Sequence, residues 1–215
     1  MDKKHVIFDL DGTLINPSDA ICRSINYALE KKGHKAVDHK ELHHYIGKHL
    51  IDPFRDITGV EDEKYLWEMI QHYRDRYEDV GIKENSLYPG IENMLENLGT
   101  DNYIASIKPS HASKMILKEF GIHNYFSGVY GSEVDGTRAD KTELLHYIKD
   151  LEGLDSAVMV GDRDTDIFAA KSCGFKSIGV TYGYGTKEEI IKSEPDYIVE
   201  ISTNLEGVLK KIWTS

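Results

Sequence analysis

Two clusters of acidic residues follow apolar, strand-like runs of the sequence. Asp9 and Asp11 come after the first such run and lead into Gly12 and Thr13. A sharp turn at Gly12 would let both carboxylates face the same crevice. One carboxylate could then attack a phosphorus atom while the other handles the proton of the leaving group. The spacing favours phosphoryl-transfer chemistry, and an Asx-turn that only closes the strand is the alternative.

The second cluster has aspartates at three alternate positions: Asp162, Asp164 and Asp166. Asp162 at the strand end could complete a Mg²⁺ site with Asp9. Asp166, one helical turn later, could hold a metal-bound water or a ligand lysine in support. A calcium loop opens with the same alternation, but it needs Gly at its sixth position and Glu at its twelfth. Ile167 and Cys173 stand there instead, so the calcium loop is rejected.

Two further polar residues follow strand-like runs between these clusters. The Ser106 hydroxyl and the next backbone N–H could hold phosphate oxygens. Lys141 begins a predicted helix, where it would supply a fixed positive charge. Taken singly, a turn serine and a solvated lysine are the simpler interpretations. The ordered set of acidic, hydroxyl, basic and acidic groups favours one phosphate-handling site.

The elements that must position these residues alternate along the chain. Six apolar runs are predicted strands: His5–Phe8, Tyr103–Ala105, Gly128–Tyr130, Ala157–Val160, Ser177–Val180 and Tyr197–Val199. Helical patterns separate them, and one is predicted to begin at Pro89 and to stop at Gly99. Alternating strands and helices predict an α/β fold with a Rossmann-like, open parallel sheet. Ligands bind such sheets at the carboxyl ends of the strands, where the polar residues stand.

One interval, from Pro17 to Leu87, lacks a convincing strand pattern. It contains four helical patterns: Ser18–Lys32, Asp38–Tyr45, Leu50–Thr58 and Glu63–Val80. We therefore predict a helical cap domain, residues 17–87, inserted after the first strand. The catalytic α/β core would comprise residues 1–16 and 88–215.

A glycine-containing turn follows the predicted strand Ser177–Val180. Gly183-Tyr184-Gly185-Thr186 resembles part of a dinucleotide-binding loop, but Glu188 replaces the third glycine of that pattern. We interpret the segment as a flexible turn bordering the site.

The composition excludes several classes of protein. The chain has 215 residues and a net charge of −11, which disfavours nucleic acid or an anionic membrane as its main partner. The two cysteines, Cys22 and Cys173, lie far apart and are expected to be free thiols. No apolar run approaches the ~18 residues of a membrane span. We expect a cytoplasmic protein, either a monomer or a weak dimer.

The ordered motifs resemble those of the haloacid dehalogenase-like hydrolases, specifically the phosphoglycolate-phosphatase-like branch. The residues that carry the resemblance are Asp9-x-Asp11-Gly12-Thr13, Ser106, Lys141 and Gly161-Asp162 with Asp166. The resemblance covers essentially the whole chain. It implies that Asp9 forms an aspartyl-phosphate and that Asp11 acts as general acid and then base. It also implies that the Asp11 backbone carbonyl binds Mg²⁺.

The resemblance assigns the other site residues as well. Ser106 and Lys141 would stabilise the phosphoryl oxygens and the nucleophile, and Asp162 would ligate Mg²⁺ with Asp166 in support. The expected substrate-binding residues are Gly12, Thr13, Ile107, Lys108, Tyr45, Lys48 and Arg163. Relatives often carry two prolines after the cap loop, where this chain has Lys48-His49. Because of that departure, the resemblance does not identify the substrate.

The implied activity is Mg²⁺-dependent hydrolysis of a small phosphomonoester, with a small phosphorylated metabolite as partner. Asp11 favours phosphoryl transfer over dehalogenation. A 5'-nucleotidase or pyrophosphatase of the same family remains an alternative. So do a phosphosugar mutase of the β-phosphoglucomutase type and a catalytically idle binding module.

Overall fold

The computed structural model describes residues 4–133 and 137–213, and the chain divides into two compact units. One unit comprises Met1–Asn16 and Leu87–Ser215, and the other comprises Pro17–Ser86. Within the described ranges, no helix is both long enough and apolar enough to span a bilayer.

The larger unit is built on a six-stranded sheet in which every recorded strand pairing is parallel. The strands of the chain are β1 (His5–Phe8), β2 (Ile15–Asn16), β3 (Ser86–Leu87), β4 (Asp101–Pro109), β5 (Phe126–Ser132), β6 (Val158–Gly161), β7 (Lys176–Val180) and β8 (Tyr197–Val199). Their order in the sheet is β5-β4-β1-β6-β7-β8, and β2 pairs with β3 separately. The predicted α/β fold is confirmed, and each of the six predicted strands is present.

The register aligns the carboxyl ends of β1 and β6 at one edge of the sheet, whereas β4 continues to Pro109, so Ser106 lies inside β4 and not just after its end as predicted. Phe8, the last residue of β1, lies opposite Ile104 of β4 and Val160 of β6. The residues that follow these three positions therefore emerge side by side. This is the edge at which open α/β sheets bind ligands.

The smaller unit is helical. Its helices are α1 (Ser18–Lys31), α2 (His39–Leu42), α3 (Ile51–Thr58) and α4 (Glu63–Asp79), with 3-10 turns at His43–Tyr45 and Gly81–Glu84. α1 packs against α4 through apolar stripes that are spaced by helical turns, such as Ile25 and Leu29 on α1. The pattern predicted for Asp38–Tyr45 forms α2 and the 3-10 turn that follows it.

The remaining helices belong to the larger unit. They are α5 (Ile91–Leu98), α6 (Ser110–Glu119), α7 (Lys141–Glu152), α8 (Asp164–Cys173), α9 (Lys187–Lys192) and α10 (Leu205–Ile212), with 3-10 turns at His123–Tyr125 and Ser202–Asn204. The predicted helix start at Pro89 is wrong. Gly90 adopts a left-handed conformation with φ of 82°, so α5 can begin only after it. Gly99 ends α5 in the same conformation, as predicted.

Two helices are anchored to the sheet by a shared hydrophobic core. Ile7 of β1 and Met159 of β6 belong to one buried cluster with Leu144 of α7 and Ala169 of α8. This packing fixes where α7 and α8 lie on the sheet, and caps at Asp140 and Arg163 mark where they begin. Lys141 is the first residue of α7. Asp166 lies in the first turn of α8.

Candidate active site

Asp9 is the residue directly after β1, and its side chain is buried at the carboxyl edge of the sheet. Its backbone N–H donates to the carbonyl of Val160 at 2.9 Å, which extends the β1–β6 ladder by one residue. Its Oδ1 accepts a hydrogen bond from Lys141 Nζ at 2.6 Å. Burial raises the pKa of Asp9 well above its usual range, although Lys141 opposes that shift. The carboxylate is therefore desolvated and held by one cation.

Lys141 joins three parts of the site. Besides Asp9, its ammonium lies 2.9 Å from Asp166 Oδ1 and donates to the carbonyl of Ala105 at 2.8 Å. Burial alone would lower the pKa of Lys141, but Asp166 and Asp9 outweigh it and raise that pKa above its ordinary value. Lys141 is therefore a fixed cation between two carboxylates.

Three buried carboxylates converge beside this lysine: Asp9, Asp162 and Asp166. Each offers one oxygen, and these oxygens all lie within 4.8 Å of one another. Among the described residues, Asp162 Oδ1 is buried and has no hydrogen-bond partner. Burial and the neighbouring Asp166 raise the pKa of Asp162 to about 7. Hard carboxylate oxygens with an unpartnered buried atom among them fit a divalent cation such as Mg²⁺.

Glycines allow this close approach of carboxylates and backbone. A Cβ on Gly12 would lie 2.1 Å from Asp162 Oδ2, and Gly12 has φ of 89°. A Cβ on Gly161 would lie 2.1 Å from Asp166 Oδ2. Neither position can hold a side chain without displacing a carboxylate.

Asp11 and Lys108 form an ion pair next to the cluster. Lys108 Nζ lies 3.0 Å from Asp11 Oδ1 and 2.9 Å from Asp11 Oδ2, and both side chains are about nine-tenths buried. The Ser106 hydroxyl is buried and accepts from the backbone N–H of Lys108 at 3.2 Å. The carbonyl of Ile107 accepts from the Ser132 hydroxyl at 2.7 Å. Residues 106–108 thus present a hydroxyl and an ammonium at the end of the buried part of β4.

Two of the predicted substrate-binding residues have other contacts within the unit. Thr13 is fully buried, and its carbonyl accepts a hydrogen bond from the Tyr182 hydroxyl at 2.9 Å. Arg163 Nε donates to Glu189 Oε1 at 3.0 Å, and the same oxygen accepts from the backbone N–H of Asp164 at 3.1 Å. Their roles toward a substrate stay predictions.

Tyr45 and Lys48 lie in the helical unit. The Tyr45 hydroxyl donates to Asp56 Oδ2 at 3.1 Å, and Lys48 Nζ lies 5.9 Å from the centre of the Tyr45 ring. Their role as substrate contacts also stays a prediction.

Sequence reasoning missed the contacts made by the segment after β7. The Tyr184 backbone N–H donates to Asp162 Oδ2 at 2.7 Å. A Cβ on Gly183 would lie 2.4 Å from the same oxygen. The glycines flanking Tyr184 were the available signal, because closely spaced glycines indicate close approach of the backbone to another group.

Known proteins resemble this chain over most of its length. The model of the haloacid dehalogenase-like hydrolase family matches residues 6–180. A 5'-nucleotidase from Pseudomonas aeruginosa is 37% identical over 96% of this chain and 95% of its own length. A phosphoglycolate phosphatase from Aliivibrio fischeri is 30% identical over 97% of each chain.

Solved structures show the same fold. A structure from Clostridium difficile is 40% identical and superposes with a TM-score of 0.87, covering 97% of this chain and 99% of that one. The carboxylate cluster stands at the sheet edge where the sequence motifs predict it. The chain therefore belongs to the haloacid dehalogenase-like hydrolases, in the branch that resembles the phosphoglycolate phosphatases.

Proposed function

We propose that this chain is a phosphatase that hydrolyses a small phosphomonoester through a phosphorylated Asp9. The observation that carries the proposal is the buried Asp9 carboxylate, which Lys141 holds at 2.6 Å beside Asp162 and Asp166. A desolvated carboxylate with a fixed orientation is a suitable nucleophile for covalent catalysis. Membership of the family supports the same chemistry.

In the first step, an Asp9 oxygen forms a bond to phosphorus and the bond from phosphorus to the leaving oxygen breaks. Asp11 must enter this step as a carboxylic acid, and it donates its proton to that oxygen. In the second step, Asp11 takes a proton from a water molecule whose oxygen attacks the phosphorus. The bond between Asp9 and phosphorus breaks, inorganic phosphate leaves, and both carboxyl groups return to their starting states.

The basic and hydroxyl groups stabilise the charge that develops on the phosphoryl oxygens. Lys108 Nζ lies next to Asp11, the Ser106 hydroxyl accepts from the Lys108 backbone N–H, and Lys141 lies next to Asp9. Preorganised donors of this kind contribute most in a site that excludes water. We propose that the backbone of Gly12, Thr13 and Ile107 surrounds the transferred phosphoryl group. Arg163 would lie at the border of this site.

We assign Mg²⁺ as the cofactor, with Asp9 and Asp162 as side-chain ligands, the Asp11 carbonyl as a further ligand and Asp166 in support. When bound, the ion offsets the repulsion between a carboxylate nucleophile and a phosphate dianion. The unpartnered Asp162 Oδ1 supports this assignment.

The substrate class is a small phosphorylated metabolite. The relatives named 5'-nucleotidase and phosphoglycolate phosphatase share a phosphomonoester as the reacting group. We assign the helical unit, with Tyr45 and Lys48, to recognition of the leaving group. A nucleoside 5'-monophosphate and 2-phosphoglycolate are thus the first substrates to compare.

The test measures phosphate release from these two compounds and a set of sugar phosphates, with Mg²⁺ and with EDTA. Asp9→Asn should reduce release by at least about 1,000-fold, because the amide is a poor nucleophile. Asp62→Asn is the matched control, since Asp62 caps α4 through Tyr65 N–H at 2.7 Å and Asn caps helices equally well. Retention of release by Asp9→Asn would overturn the nucleophile assignment.

A further inference from the structure

The segment after β7, residues 181–186, packs tightly against the residues that carry the chemistry. A Cβ on Gly185 would lie 1.8 Å from the carbonyl oxygen of Asp162. A Cβ on Gly183 would lie 2.4 Å both from Asp162 Oδ2 and from the carbonyl oxygen of Gly12. The backbone of this segment therefore lies between the two acidic motifs and in close contact with both.

Its first attachment is to Asp162. The Tyr184 backbone N–H donates to Asp162 Oδ2 at 2.7 Å. Asp162 Oδ1, the other oxygen of the same carboxylate, is buried and has no hydrogen-bond partner among the described residues. The hydrogen bond from Tyr184 therefore occupies one oxygen of Asp162 and leaves the other for a cation.

Its other attachments are to the stretch that follows Asp9 and Asp11. The Tyr182 hydroxyl donates to the carbonyl of Thr13 at 2.9 Å. The Tyr184 hydroxyl donates to Asn16 Oδ1. The Tyr182 ring packs edge-on against Tyr88 with 4.8 Å between ring centres, which fixes the direction of its hydroxyl.

We propose that Tyr182 and Tyr184 are positioning residues that align the loop carrying Asp9 and Asp11 with Asp162. The proposal rests on the function proposed above and adds to it the groups that set the spacing of the metal ligands. Tyr182 reaches from the segment after β7 to Thr13, in the loop between β1 and β2, and Tyr184 reaches Asn16, the last residue of β2. The Tyr184 backbone N–H holds Asp162. The two acidic motifs, which lie far apart in sequence, are thereby held at one separation.

The physical reason is that a small, hard cation tolerates little variation in ligand distance. Mg²⁺ requires near-ideal octahedral geometry, so a shift of a few tenths of an ångström weakens its binding. Groups that hydrogen-bond to ligands or to their supporting backbone commonly change metal affinity 10–100-fold when removed. Loss of the Tyr182 hydroxyl would free the Thr13 carbonyl and loosen the first loop relative to Asp162.

The test compares Tyr182→Phe and Tyr184→Phe with the wild type by calorimetric titration with Mg²⁺. Both variants keep the ring, and Tyr184→Phe also keeps the backbone N–H on Asp162. We expect the Mg²⁺ dissociation constant of Tyr182→Phe to rise by about 10-fold. At saturating Mg²⁺, the KM for the phosphomonoester should stay unchanged.

Tyr125→Phe is the matched control, because its hydroxyl donates a solvent-exposed hydrogen bond to Glu96 Oε1 at 3.2 Å. Its Mg²⁺ dissociation constant should equal that of the wild type. Circular dichroism and thermal unfolding check that each variant folds. A folded Tyr182→Phe protein with wild-type Mg²⁺ affinity would overturn the proposal, and so would a wild-type protein that binds no Mg²⁺.

Measurements of phosphate release distinguish failure of this proposal from failure of the proposed function. If the wild type releases phosphate and Tyr182→Phe binds Mg²⁺ with wild-type affinity, the positioning role is refuted and the phosphatase function is upheld. If the wild type releases phosphate from no compound, the phosphatase fails. The Mg²⁺ titration of the two variants still decides the positioning role in that case.

Discussion

Lys141 Nζ lies 2.6 Å from Asp9 Oδ1, although 132 positions separate the two residues in the chain. The same ammonium lies 2.9 Å from Asp166 Oδ1, and all three side chains are buried. One buried lysine therefore compensates the charge of two buried carboxylates. Buried charges interact strongly, and removing one of them leaves the others uncompensated.

Replacement of this lysine should destabilise the protein. Lys141→Met leaves Asp9 and Asp166 buried without their cation, and we expect the free energy of unfolding to fall by about 3 kcal/mol. Urea unfolding in EDTA measures this change. Lys171→Met is the control, because Lys171 is partly exposed and donates to the carbonyl of Ser193 at 2.8 Å. Equal stability of the two variants would contradict the prediction.

Loss of the Asp11 carboxyl should slow hydrolysis most for phosphomonoesters with poor leaving groups. Asp11→Asn removes the proton donor, so release from an alkyl phosphomonoester should fall about 100-fold or more. Release of p-nitrophenol from its phosphate ester in the first turnover should fall much less, because that leaving group needs little protonation. Stopped-flow absorbance gives the first-turnover rate. Equal losses for the two esters would argue against Asp11 as general acid.

Gly12 should tolerate no side chain. A Cβ there would lie 2.1 Å from Asp162 Oδ2, so Gly12→Ala should displace this carboxylate and abolish phosphate release. Gly33→Ala separates this clash from backbone strain, because Gly33 has φ of 78° but no atom within 4 Å of the added Cβ. The control should lose about 1 kcal/mol of stability and keep its activity. Activity and urea unfolding of both variants check the comparison.

Glu84 should make the helical unit sensitive to acid. Arg76 donates to both of its carboxylate oxygens at 2.8 and 3.0 Å, and Arg23 donates to Oε1 at 3.0 Å. These hydrogen bonds hold the pKa of Glu84 below its ordinary value of 4.5. Because the folded pKa is lower than the unfolded one, the stabilisation is complete above pH 4.5. It is lost as the pH falls through the folded pKa.

The variant Glu84→Gln measures that contribution. At pH 7 we expect it to lower the free energy of unfolding by about 1 kcal/mol, a value reduced for partial solvent screening. The difference from the wild type should shrink below pH 4.5. Glu61→Gln is the matched control, since Glu61 pairs with Arg55 at 3.1 Å but its side chain is 77% exposed. A difference that is independent of pH would refute the assignment.

The strand and helix pattern was largely readable from the sequence because each element has a local signature. Short apolar runs predicted the six strands of the sheet, and Gly99 marked a helix end correctly. Pro89 failed as a helix start because Gly90 takes a left-handed conformation, which depends on the turn and not on Pro89. The helical patterns between Pro17 and Leu87 likewise correspond to α1–α4.

The sequence by itself determined which acidic residues follow strand ends, because parallel strands align their carboxyl ends. Asp9 and Asp162 could be named from that rule, and Lys141 from its place at the start of a predicted helix. Tertiary structure decided which groups touch, such as Lys141 with Asp166 and Tyr182 with Thr13. These contacts depend on helix packing and on backbone approaches of a few ångströms between distant segments. No local pattern in the sequence encodes such distances.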